Sequence, residues 1–167
     1  MSDEDAAVSV TAEKYLTFGV GSERYAIPVT KVEEVLELQP ITKVPRCPVF
    51  LLGIVNVRGR LIPVMDMRLR LGLAAAEAGV ETRIVVMTMQ YGEEELSVGA
   101  LTDQVHGVVD IEAEQIEAPP RFAGGREDVG LSGTARMDDG IFLLLDVDRI
   151  LSPEYLDAEF NALQAGR

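Results

Sequence analysis

The sequence predicts an all-β protein built as two small barrels, and three observations carry that prediction. Apolar residues recur with a period of two in short runs, as in Leu16-Thr17-Phe18-Gly19-Val20, where Leu16, Phe18 and Val20 share one face. Glycine-bearing turns separate these runs at hairpin spacing. The order of strands, turns and Asp positions in the first half then returns in the second. Closing each set of short strands into a ring removes the exposed edges that would otherwise invite aggregation. Two such barrels are expected to pack through an apolar seam.

The elements follow in order. After a tail through roughly Ala12, the strand ending at Val20 meets the turn Gly21-Ser22-Glu23 and the strand Tyr25–Val29, a hairpin. Pro28 cannot donate a ladder hydrogen bond, which puts it at an edge or a strand end. Thr30–Glu34 reads as a turn or one helical turn, and Val35–Leu38 as a return to strand. Pro40, Pro45 and Pro48 make the next stretch an extended connection. Leu52–Val57 and Leu61–Met65 are strands around Arg58-Gly59-Arg60, where Gly59 supplies a positive φ. Ala74–Gly79 is a loop of small residues.

The pattern then begins again. Arg83–Met89 and Leu96–Leu101 are strands about the turn Gly92–Glu95. Val105–Ile111 is a third strand, and Ala118-Pro119-Pro120 with Gly124-Gly125 belongs to an irregular connection. Thr134–Met137 and Ile141–Leu145 form a last hairpin about Asp138-Asp139-Gly140. Val32–Leu38 aligns with Val105–Ile111, Gly53 with Gly133, and Leu61–Asp66 with Ile141–Asp146. The Pro/Gly connection around 112–130 absorbs the difference in length, leaving two units of roughly 70 residues each. Ser152-Pro153 then opens a helix whose Leu156, Phe160 and Leu163 share a face.

Composition narrows the function. The chain of 167 residues is 47% hydrophobic, ample for a packed interior, but 5% aromatic with no Trp, so the core is aliphatic and Met-rich. With 28 acidic and 15 basic residues the formal net charge is −13. Such a surface disfavours nucleic acid and anionic lipid as partners. It serves solubility first, with adaptation to high salt as a sharper alternative. The single Cys47 cannot form an internal disulfide. The acidic start Met1-Ser2-Asp3-Glu4-Asp5 is unlike a signal peptide, and no apolar run has the length of a membrane span; a cytoplasmic location without membrane insertion is expected.

No chemistry announces itself. His106 is the only histidine and has no cysteine nearby in sequence, so a zinc set is not expected. Cys47, between Arg46 and Pro48, lacks a nucleophile signature. Gly124-Gly125 lacks the Lys-Ser/Thr of a phosphate loop. The best enzymatic candidate is the repeated pair Asp66 and Asp146, which would suit a carboxylate-dependent hydrolase if the two met in a cleft. Each Asp ends an apolar strand, however, and capping the following turn is the plainer reading. No enzyme activity, cofactor or metal is expected.

The stretch Leu52–Gly72 (LGIVNVRGRLIPVMDMRLRLG) closely resembles the signature of the CheW family, the coupling proteins of bacterial and archaeal chemotaxis. Tyr25–Val35 (YAIPVTKVEEV), Val44-Pro45 through Pro48, and more weakly Val105-His106-Gly107-Val108 and Gly140–Asp146 also match, so the likeness spans about residues 13–155. Cys47 stands where the family more often has a small residue such as Ala. No receiver domain or kinase segment is read in these 167 residues, so neither a receiver-fused coupling protein nor the kinase itself is expected.

The resemblance implies two tandem five-stranded SH3-like barrels with a short C-terminal helix. It divides the chain into a tail (1–12), one domain of two pseudo-repeated barrels (13–151) and the helix (152–167). The halves of that domain are about 13–80 and 81–151, with strand exchange between them open. It also implies a non-catalytic adaptor, a monomer when alone, that links methyl-accepting chemoreceptors to the regulatory domain of the histidine kinase CheA. A scaffold of the same fold in another receptor–kinase pathway, such as surface motility, is the alternative. Val32, Glu34, Gly53, Asn56, Arg58 and Gly59 fall at family positions associated with partner contacts. Read from the residues alone, Val32 is equally a core residue, Glu34 a solvated charge, and Gly53 a place of close backbone approach. Arg58, at a hairpin tip, is free to project as a binding anchor.

Overall fold

A computed structural model describes residues 12–118, 130–138 and 140–150. The expected tail, apart from Ala12, and the expected C-terminal helix lie outside the described residues. Among the described residues, eleven strands form two sheets. The central barrel is continuous in sequence: β3 (Val32–Glu37), β4 (Leu51–Val57), β5 (Arg60–Asp66), β6 (Arg83–Tyr91) and β7 (Glu94–Thr102), in the order β3-β6-β7-β5-β4. The terminal barrel joins β1 (Ala12–Val20) and β2 (Glu23–Pro28) to β8 (Gln104–Glu112), β9 (Ile116–Glu117), β10 (Leu131–Met137) and β11 (Gly140–Leu145), in the order β8-β1-β2-β11-β10-β9.

Neither barrel coincides with a half of the sequence. The first hairpin of each repeat, β1–β2 or β6–β7, joins the sheet of the other repeat. A parallel pair makes each junction: Leu144 opposite Ala26 and Val64 opposite Gly99. The chain crosses between barrels at the 3-10 turn Val29–Lys31 and again at Asp103.

Each ring is closed by the chain itself. In the terminal barrel β8 runs through the 3-10 turn Ala113–Gln115 into β9, from one sheet edge to the other. In the central barrel the segment after β3 reaches β4, where Thr42 and Ile54 exchange backbone hydrogen bonds of 2.9 and 2.8 Å. This crossing explains a repeated glycine. A Cβ on Gly53 would lie 2.1 Å from the Thr42 carbonyl oxygen, and one on Gly133 would lie 2.7 Å from that of Glu117. Gly53 also has φ +151°, a conformation that L side chains rarely adopt.

The core has three parts. Tyr15, Ala26, Ile111, Ala135, Phe142 and Leu144 fill the terminal barrel. Val55, Val57, Ile62, Val64, Ile84 and Val86 fill the central one. The largest cluster is the seam, where Leu16, Phe18, Val20, Tyr25 and Ile27 meet Met65, Val85, Met87, Met89 and Val98. Strands with one face in a barrel and the other in the seam are covered on both sides, as in Ile84-Val85-Val86-Met87, all buried.

Two ion pairs of reversed sign sit where the barrels meet. Arg68, on the short helix α1 (Met67–Arg70), reaches Asp103 at one crossover, 2.6 Å away. Asp148, on α2 (Val147–Ile150), reaches Lys31 at the other, 3.1 Å away. Both carboxylates also accept a backbone N–H from the opposite barrel, Gly21 and Gln90 respectively.

Three expectations need correction. β3 starts at Val32, not Val35, because the chain spends only Val29–Lys31 on the turn. β9 lies in what read as irregular connection; two residues pairing with Ala135 and Thr134 are too few to show a period. The terminal sheet therefore has five main strands and this short sixth.

Candidate protein-interaction site

The β4–β5 hairpin turns through two residues, Arg58 and Gly59, with Val57 opposite Arg60. Both turn residues have positive φ, 54° and 85°, as a tight hairpin that follows the strands' twist requires. Gly59 meets that demand without strain, whereas Arg58 does not have a glycine's freedom. Asn56 holds the tip: its Oδ1 accepts the Gly59 N–H at 2.9 Å.

Ring closure brings this tip, at one edge of the central sheet, to β3 at the other edge. There the Arg58 guanidinium lies 3.3 Å from the Glu34 carboxylate. The Arg58 side chain stays 81% exposed and that of Glu34 only 22%. Glu34 is thus the seated partner and Arg58 the projecting one. An ion pair this exposed contributes about 0–1 kcal/mol to stability, so its value lies in orienting the guanidinium.

One residue away is a second, denser network. Glu33 is the extra residue of a bulge, where β3 shifts register against β6 between Val32 and Glu34. Its carboxylate pairs with Arg60 at 3.2 Å and accepts hydrogen bonds from Thr88, at 3.0 Å, and Ser97. Arg60 also donates to Ser97. The Ser97 hydrogen bond leads, with Thr88 and Arg60 adding to it, in holding the Glu33 carboxyl below its ordinary pKa; partial burial opposes them.

The six candidate residues divide by place. Glu34, Asn56, Arg58 and Gly59 gather at the hairpin tip. Val32 is half-buried at the start of β3 and packs on the seam cluster. Gly53 is buried beneath the surface, where the ring closes. Sequence reasoning missed Glu33 and Arg60, which flank the chosen residues, and Leu61, a large aliphatic side chain left 70% exposed beside Arg60. Leu61 could have been noticed as the β5 aliphatic out of phase with buried Ile62 and Val64. An exposed aliphatic residue beside buried-rooted charges is the composition of a docking surface.

The repeated aspartates are occupied locally. Asp66 Oδ1 accepts the Arg68 N–H at 2.9 Å and caps α1. Asp146 Oδ1 accepts the Arg149 N–H at 3.2 Å and does the same for α2. Cys47 Sγ faces the carbonyls of Val44 and Leu51. Among the described residues, no cluster of three or more His, Cys, Asp or Glu side chains is placed to hold a metal ion.

Known proteins share this architecture. A crystal structure of the scaffolding protein TtCheW from Thermoanaerobacter tengcongensis superposes with a TM-score of 0.74 at 29% identity, covering 84% of this chain and 92% of that one. The chemotaxis protein CheW of Klebsiella aerogenes is 30% identical over 150 residues, 89% of this chain and 87% of the relative. CheW of Bacillus subtilis is 30% identical over 144 residues, covering 86% and 90%. The CheW-like domain model matches residues 14–154. With its strand order, its ring-closing glycines and its charged hairpin accounted for, the chain belongs to the CheW-like domain family.

Proposed function

We propose that this protein is a chemotaxis adaptor that couples chemoreceptor signalling tips to the histidine kinase CheA and performs no catalysis itself. The observation that carries this reading is the hairpin tip. Arg58 is held outward by Glu34 and Asn56 on a rigid, ring-closed barrel, within a chain that belongs to the CheW-like domain family. A projecting guanidinium on a preordered support loses little freedom on binding, which favours Arg as an anchor.

The regulatory domain of CheA docks against the central barrel through Val32, Glu34, Asn56, Arg58 and Gly59, with Gly53 shaping that surface from below. Receptor tips bind elsewhere on the same molecule, so one copy bridges the two. Its place is the cytoplasm, where partners draw it to membrane receptor arrays; no described helix is long and apolar enough to cross a membrane. Alone it is a monomer.

Titration calorimetry against the CheA regulatory domain and, separately, a receptor-tip fragment tests this. Saturable binding to both is expected, with Arg58→Ala and Val32→Asp weakening the kinase complex while remaining folded. Absence of binding to either partner would refute the coupling role.

A further inference from the structure

Two arginines stand on backbone that favours glycine. Among the described residues, the positive-φ positions that carry a side chain are Arg58, at 54°, and Arg46, at 59°. Arg58 belongs to the hairpin tip; Arg46 lies in the loop between β3 and β4. It follows Pro45 in a turn whose left-handed corner normally goes to Gly or Asn. The loop is well held. Cys47 Sγ lies 3.0 Å from the Val44 carbonyl oxygen, the Leu51 N–H donates to the Pro48 carbonyl at 3.0 Å, and Thr42 is tied to Ile54. Unfavourable backbone kept for an exposed side chain points to a use for that side chain.

Charge sets the same loop apart. With 28 acidic residues to 15 basic ones, a cation on this chain has acidic neighbours to spare. Every other described Lys and Arg is engaged within the chain, by ion pairs (Lys14, Lys31, Arg58, Arg60, Arg68, Arg136) or by other contacts. Lys43 and Arg46 are the exceptions: both are exposed, and neither makes an ion pair, hydrogen bond or ring contact. Val49, in the same loop, is 72% exposed.

We propose that Lys43 and Arg46 form a second anchor for the kinase regulatory domain, taking an acidic stretch of it at the end of β4 opposite the Arg58 tip. The inference rests on the coupling role proposed above and extends its kinase-facing surface. The seven residues of β4 part the two anchors by about 20 Å, within the span of a standard interface of about 800 Å² per partner. Exposed aliphatic side chains continue from one anchor to the other: Leu61 beside the tip, Val35 midway along β3, and Leu38 and Val49 by the loop. Charge complementarity selects the acidic stretch. A chain of net charge −13 repels acidic groups over most of its surface, which steers them to the two cations it leaves unpaired.

The test titrates the full chain with the CheA regulatory domain and, separately, the receptor-tip fragment, at about 50 mM and 500 mM salt. Lys43→Gln combined with Arg46→Asn should weaken kinase binding about tenfold at low salt and flatten its salt dependence, leaving receptor binding unchanged. Arg46→Asn alone should weaken it about threefold yet raise Tm by about 2 °C, because Asn tolerates the left-handed backbone better. Kinase binding that Arg58→Ala weakens but the double variant leaves at the parent's affinity and salt dependence would overturn this inference alone. Equal losses toward both partners, or a lower Tm in Arg46→Asn, would also overturn it. A parent that binds no kinase domain would overturn the coupling role and this inference together.

Discussion

At the scale of single residues, Glu33, Arg58 and Gly53 have different duties and should fail differently. Arg58→Ala removes a mostly exposed guanidinium; Tm should move by no more than about 2 °C, while affinity for the kinase domain falls about tenfold or more. Melting and calorimetry on one preparation separate the two effects. Gly53→Ala should instead cost about 3 kcal/mol or more in a denaturant titration. Its Cβ has no space against Thr42, and its backbone angle suits glycine alone.

Glu33 carries a pH signature. Its folded pKa is depressed, so its network adds stability that is fully present above the unfolded value, about 4.3, and is lost as the pH falls through the folded value. Glu33→Gln should therefore destabilise the protein at neutral pH and flatten this part of the acid-denaturation curve. Matched melts at pH 7 and pH 4 would check it. Arg58 and Gly59 were legible in the sequence because a hairpin tip is a local pattern. The pairing of Arg58 with Glu34, and of Arg60 with Glu33, was not. Those partners lie far apart in sequence on strands that are not neighbours, and only the folded sheet and its closure into a ring bring them together.

At the scale of elements, the main strands and turns could be read because each strand is a short alternating or wholly apolar run and most are bounded by a glycine-bearing turn. The exceptions share a cause. Val32 and Glu34 looked like turn because a bulge at Glu33 breaks the alternation there, and β9 is too short to alternate at all. The aspartates at the ends of β5 and β11 were legible as caps, since a carboxylate two or three residues before a free N–H is a local relation. Gly53 and Gly133 could be aligned from sequence, but their shared reason, the crossing of a closing segment over β4 or β10, required the structure. The β1–β2 hairpin illustrates the limit most clearly. Its existence is written in period and turn, while its destination, the sheet that holds β11, depends on packing that no short window contains.

For the whole molecule, the hairpin exchange makes the sequence halves poor folding units. A cut in the loop near residue 80 separates β3 from its neighbour β6 and β5 from β7, and strips β1–β2 from β8 and β11. Fragments 1–80 and 81–167 should each give poorly dispersed NMR spectra alone. Mixed or co-expressed, they should recover the dispersion of the intact chain, because the seam and both rings can then form. A well-dispersed spectrum from either fragment alone would contradict this account. The seam itself, a cluster larger than either barrel interior, explains why two small barrels cohere: neither encloses enough apolar volume to be sturdy by itself.

The exchange has a further consequence for how the fold is reached. Each repeat holds the hairpin that the other lacks, so two unconnected copies of such a repeat could complete themselves only by meeting as a symmetric dimer. Their assembly would then rise and fall with the amount of protein in the cell. The short stretch between α1 and β6 keeps the repeats at an effective concentration in the millimolar range, and what would have been a bimolecular encounter becomes a step within one chain.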